Sequence, residues 1–151
     1  MVNDNMQKLI SDEINLINLL MISNEEEREN LISVFKKNKI INPVFYTDDI
    51  EKAFAKLDEI YAKSKENTRS MILLDRNLPN GTAFGFLARL RNEYKLSQIE
   101  VFLMDTHDAK EIPDFKQLEI SGLILKPVSF EGFAKGIAAK KLSWQLVDNV
   151  N

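Results

Sequence analysis

Several polar residues capable of chemistry stand directly where apolar runs stop. Asp75 follows Met71-Ile72-Leu73-Leu74. Asp105 and Thr106 follow the run from Ile99 to Met104, and Lys126 follows Leu123-Ile124-Leu125. The first run, Leu16 to Ile22, ends in Ser23-Asn24. An aspartate directly after a buried run is held rigidly, with its oxygens at the end of a strand. That placement suits a phosphoacceptor or a metal ligand. A lysine on the same edge can pair with a carboxylate or with phosphate oxygens. Plainer roles compete at each position. Asp75 taken alone is a strand terminator. Asp105 is equally an N-cap for the helix that follows it. Asn24 has Glu27 three residues on, which is capping-box spacing, so it reads first as an N-cap and only weakly as a metal ligand.

These residues need elements to position them. Apolar runs alternate with amphipathic stretches five times along the chain. The runs at Leu16–Ile22, Val44–Tyr46, Met71–Leu74, Ile99–Met104 and Leu123–Leu125 are short and almost wholly apolar, as strands buried on both faces are. Between them lie helical patterns. One opens at Asn24 and buries Leu31, Val34 and Phe35. One opens at Thr47-Asp48-Asp49 and carries the stripe Ile50, Ala53, Phe54, Leu57, Ile60 and Tyr61. Leu78-Pro79-Asn80-Gly81 forms a turn, and a helix from Thr82 to Tyr94 is expected to bury Phe84, Leu87 and Leu90. A shorter helix is expected over Asp108–Leu118, with His107 as a solvated loop residue. Ser129 can cap a last helix holding Phe130, Phe133, Ile137, Leu142 and Trp144. Alternation of this kind predicts an α/β fold, a parallel sheet with helices on both faces. In such sheets the ligand site lies outside the carboxyl ends of the strands, where Ser23, Asp75, Asp105 and Lys126 all fall.

Composition narrows the function classes. The 151 residues suit one domain, with residues 1–13 as an N-terminal extension and 14–147 as the domain itself. The formal net charge of −3 gives no basic field for nucleic acid. Without cysteine there is no disulfide, zinc-thiolate site or thiol catalysis, and one histidine cannot build a histidine-rich metal site. No apolar run approaches the roughly 20 residues that span a bilayer, and the polar N-terminus lacks a secretory pattern. The expectation is a cytoplasmic protein with no membrane or nucleic-acid partner. No Gly/Ser/Thr-rich loop follows the first strand, so a flavodoxin-type cofactor site is not expected and no cofactor-binding residue is assigned.

Two segments resemble a known family. Met71-Ile72-Leu73-Leu74-Asp75-Arg76-Asn77-Leu78-Pro79 looks like the strand-three signature of CheY-like response-regulator receiver domains. Leu123-Ile124-Leu125-Lys126-Pro127 looks like their strand-five signature. The resemblance extends from about Leu16 to about Leu142. Its Asp-x-Asn-Leu-Pro form is similar to small receivers that accompany phytochrome-type histidine kinases. It implies a flavodoxin-like, doubly wound (βα)5 domain with strand order 2-1-3-4-5. It implies two-component phosphorelay signalling, with Asp75 as phosphoacceptor for a sensor histidine kinase and Lys126 contacting the acyl phosphate. Mg2+ would be held by Asp75, by the carbonyl of Asn77 and by an acidic pair after strand one. The Lys126-Pro127 bond would be cis. Output would be protein contact, with homodimerisation through the fourth helix, fifth strand and fifth helix, and no enzymatic activity beyond self-phosphorylation. A stand-alone receiver is expected, with no separate output domain.

The chain departs from that family in ways that bear on the chemistry. The acidic pair maps to the neutral Ser23 and Asn24, and Glu25 is expected to point away. The hydroxyl position maps to Asp105, with Thr106 taking that role if the register slips by one. The aromatic switch position maps to Leu123, which reads as packing. Mg2+ binding should therefore be weakened, because the ion requires anionic oxygens in octahedral array. A charge at the mouth of a sheet is least costly when paired, so Lys126 is expected to bridge Asp75 and Asp105. Two readings follow: a working phosphoacceptor, or a phosphorylation-independent pseudo-receiver holding an Asp75/Asp105/Lys126 ion cluster.

Overall fold

The computed structural model describes residues 18–37, 44–62, 68–78, 83–94, 99–106, 109–112 and 120–138. The expected extension at 1–13, the domain limits at 14 and 147, Pro79-Asn80-Gly81, His107, Asp108, Pro113, Leu142 and Trp144 lie outside these residues. Of the helix expected over 108–118, the described part is a 3-10 turn at Ala109–Glu111.

The strands are β1 (Asn18–Ile22), β2 (Val44–Thr47), β3 (Ser70–Asp75), β4 (Ile99–Asp105) and β5 (Gly122–Leu125). The helices are α1 (Glu25–Lys37), α2 (Ile50–Ala62), α3 (Ala83–Glu93) and α4 (Phe130–Ala138), the last being the fifth helix of the sequence pattern. All four strand pairings are parallel and the order is β2-β1-β3-β4-β5, as the resemblance implies. Every side chain of β3, the middle strand, is buried. That burial explains its continuous apolar run, since helices cover both faces of a parallel sheet.

Alternation along the strands builds two cores. On one face Leu20, Ile22, Ile72, Leu74, Val101 and Leu103 meet α2 and α3 through Ala53, Phe54, Leu57, Phe86, Leu87 and Leu90. On the other, Leu19, Met21, Met71, Leu73, Phe102 and Ile124 meet α1 and α4 through Leu31, Phe35 and Phe133. The Phe35 and Phe133 rings lie 5.2 Å apart and tie α1 to α4 on this face. Gly122 suits this packing, because a Cβ there would stand 3.0 Å from Cε1 of its β4 partner Phe102 and the ring would have to shift.

The helix starts follow local chemistry. Asn24 Oδ1 accepts from the Glu27 N–H at 2.9 Å, the expected N-cap of α1. Asp49 Oδ1 accepts from the N–H groups of Glu51 and Lys52 and opens α2. Ser129 Oγ accepts from the Gly132 N–H and opens α4. One packing expectation fails. Phe84 is 44% exposed, while Phe86 is buried among the α2 and α3 side chains. The α3 helix begins at Ala83, and the residues it turns inward are Ala83, Phe86, Leu87 and Leu90, which follow i, i+3, i+4, i+7 spacing.

Candidate functional site

The carboxyl ends of the strands are locked by hydrogen bonds that continue each ladder past the last paired residue. The Ser23 N–H donates to Thr47 O at 2.9 Å, Arg76 N–H to Met104 O at 3.0 Å, and Lys126 N–H to Asp105 O at 2.9 Å. Ser23, Asp75, Arg76, Asp105 and Lys126 thus emerge from rigid backbone along one edge. Such an edge holds side chains more closely than a free loop does.

Asp75 closes β3 and is 0% exposed. A carboxylate so far from water must be compensated. Its Oδ1 accepts from Lys126 Nζ at 2.9 Å and from the Asn77 N–H at 2.9 Å, and its Oδ2 accepts from the Ser23 hydroxyl at 3.0 Å. The Lys126 side chain is itself only 9% exposed, so the pair is a partly enclosed ion pair rather than a surface one. The Lys126-Pro127 peptide bond is cis, as expected.

Asp105 has a different partner from the one expected. Arg76 Nη1 donates to Asp105 Oδ2 at 2.8 Å, while Lys126 pairs with Asp75. The expected three-member bridge of Lys126 between Asp75 and Asp105 is therefore replaced, among the described ion pairs, by two separate pairs. Two carboxylates facing one ammonium would leave an uncompensated charge at a buried edge, and the Arg76 guanidinium removes it. Asp105 Oδ1 also accepts from the Thr106 N–H at 2.8 Å, and Thr106 itself is exposed. Leu123 packs against the apolar core on the α2 and α3 side. Glu25 points outward, with its side chain 81% exposed and Arg28 Nη2 at 3.7 Å.

Three features of the edge were not anticipated from the sequence. The Ser23 hydroxyl engages Asp75, Arg76 neutralises Asp105, and Glu27 lies within electrostatic reach of Lys126 and Asp75. Glu27 Oε2 is enclosed and has no hydrogen-bond partner. Burial pushes its carboxyl above the ordinary range, Lys126 partly offsets the rise, and Asp75 adds to it. Glu27 stands one helical turn beyond Ser23, and that spacing was the only sequence signal for its place here.

The residues present do not fit a divalent cation of the kind the resemblance implies. Ser23 and Asn24 supply no charge, Asp75 Oδ1 already accepts twice and Oδ2 once, and the charge of Asp75 is matched by Lys126. Among the described residues no group of three or more His, Cys, Asp or Glu is placed to hold a metal ion.

No protein-family model and no curated protein matches the chain. Solved structures do. The bacteriophytochrome response regulator AtBRR superposes with a TM-score of 0.71 at 21% identity, over 88% of this chain and 98% of that one. A two-component response regulator from Legionella pneumophila gives 0.64 at 26% identity, over 83% and 98%. The Mn2+-bound form of response regulator Rcp1 gives 0.60 at 20% identity, over 86% and 99%. Strand order, helix placement and these superpositions together define the fold as that of a CheY-like receiver domain. Within it, the chain is similar in structure to the bacteriophytochrome response regulators.

Proposed function

We propose that the protein is a receiver module of two-component signalling, with Asp75 in the phosphoacceptor position and with output by protein contact. The observation that carries this reading is the buried Asp75 at the end of β3, with Lys126 from the end of β5 at 2.9 Å. An ammonium at that distance neutralises charge on a phosphoryl group as it neutralises the carboxylate. Of the two carboxylate oxygens, Oδ2 is held only by the rotatable Ser23 hydroxyl, so it is the oxygen free to react. It would form a bond to the donor's phosphorus as the donor's own bond to phosphorus breaks, leaving an acyl phosphate. The donor in a cell would be a sensor histidine kinase. No helix of the described residues is long and apolar enough to cross a membrane.

A second reading has an observation of its own. Both Asp75 oxygens are already satisfied, and a carboxylate in that state suits a phosphorylation-independent binding module. In its corrected form the ion cluster of that module is Asp75 with Lys126 and Asp105 with Arg76. Intact mass after incubation with acetyl phosphate separates the two. A gain of one phosphoryl group, absent in Asp75→Asn, supports the acceptor. No gain, either with acetyl phosphate or with a phosphorylated histidine kinase, supports the binding module.

A further inference from the structure

We infer that this edge is neutralised from within, so that Asp75 takes no divalent cation and any phosphoryl transfer to it proceeds without one. The inference rests on reading the edge as a receiver site, but its test does not depend on phosphorylation. A hard divalent cation binds where anionic oxygens are in excess and free to coordinate. Here the carboxylates of Asp75 and Asp105 are matched by the ammonium of Lys126 and the guanidinium of Arg76. Asp75 lies fully buried, with its oxygens turned to the Ser23 hydroxyl, the Asn77 N–H and Lys126. A cation at Oδ1 would have to displace the Lys126 ammonium or the Asn77 N–H, and one at Oδ2 would share that oxygen with the Ser23 hydroxyl. It would then meet neutral Ser23 and Asn24 on the β1 side. Glu27 is a further carboxylate within electrostatic reach of Asp75 and Lys126, and its enclosed Oε2 belongs to α1.

The arrangement gives Arg76 a specific role. It directly follows the acceptor position, and its backbone is fixed to Met104 O by the continued ladder. Its guanidinium is therefore delivered to Asp105 from the same strand end that presents Asp75. The fixed cations Lys126 and Arg76 offset the charge of Asp75 and Asp105, and they are present at every cation concentration.

Melting temperature is measured with EDTA and then in about 10 mM Mg2+ or Mn2+, since any ligand that binds the native state raises it. The expected result for the unaltered chain is a change under about 1 °C. A rise of about 3 °C or more that disappears in Asp75→Asn or Glu27→Gln would overturn the inference. A rise that persists in both variants places the ion elsewhere and leaves the inference standing. The double change Ser23→Asp with Asn24→Asp returns two carboxylates to the end of β1. It should melt lower in EDTA than the parent and gain at least about 3 °C in the cation. A folded double variant that gains nothing overturns the view that the neutral pair bars the ion. Where acetyl phosphate adds a phosphoryl group, equal incorporation in EDTA and in Mg2+ is expected. Incorporation confined to Mg2+ overturns the inference while leaving the acceptor reading intact.

Discussion

Removing Lys126 should cost far more stability than removing the charge on Asp75, although the two form one ion pair. In Lys126→Met the Asp75 carboxylate stays fully buried and keeps only the Ser23 hydroxyl and the Asn77 N–H. A buried charge stripped of its counter-ion costs about 3–5 kcal/mol. In Asp75→Asn the lone cation sits on a long flexible stem at the mouth of the sheet and can turn to water. The Asn oxygen still accepts from Ser23 or Asn77, so the loss should be about 1 kcal/mol. Urea unfolding reads the difference. With a slope of about 1.5–2 kcal/mol per molar, Lys126→Met lowers the midpoint by about 2 M and Asp75→Asn by well under 1 M. The double variant should be more stable than Lys126→Met alone, because it no longer buries an unpaired charge. Equal losses in the two single variants, or a loss below about 1 kcal/mol in Lys126→Met, would refute the reasoning that Lys126 compensates a carboxylate cut off from water.

Other outcomes follow from the same edge. Arg76→Met takes the guanidinium from Asp105, which is 1% exposed, and should lower stability by about 3 kcal/mol in the same urea assay. Asn24→Ala removes the α1 cap and should cost about 1 kcal/mol, seen as a fall of about 2–4 °C in melting temperature. Glu27 should make stability depend on pH. Its carboxyl is raised on folding, chiefly by burial, so the folded chain binds that proton more tightly than the unfolded chain does. Ionised Glu27 therefore opposes folding near neutral pH, and that cost is relieved as pH falls toward its ordinary value of 4.5. Glu27→Gln should melt above the parent at neutral pH, with the gap closing as pH is lowered; a gap that widens on acidification would refute this.

Much of the fold is legible along the chain because its signals are local and periodic. The α2 stripe from Ile50 to Tyr61 repeats at helical spacing, and its inward residues Ala53, Phe54 and Leu57 are the buried ones. The Met71–Leu74 run announces a strand covered on both sides, and β3 is buried throughout. Asn24, Asp49 and Ser129 cap helices because their oxygens reach N–H groups two or three residues away. Phe84 escaped this logic. Phe86, not Phe84, completes the i, i+3, i+4, i+7 set with Ala83, Leu87 and Leu90, and its ring lies 4.9 Å from Phe54.

The sequence by itself determined which residues stand at the carboxyl ends of the strands, and hence that Asp75, Asp105 and Lys126 share one edge. It could do so because a strand's end is marked by where its apolar run stops. Who pairs with whom was decided by the tertiary structure alone. Lys126 faces Asp75, Arg76 reaches across to Asp105, and Ser23 from β1 donates to Asp75 across 52 positions of chain. Those distances depend on strand order, twist and side-chain direction, none of which is written in the spacing of residues. The assignment matters because charge is expensive to bury. Given two carboxylates at one edge, the fold had to bring a second cation, and the nearest long basic side chain was the one directly after Asp75.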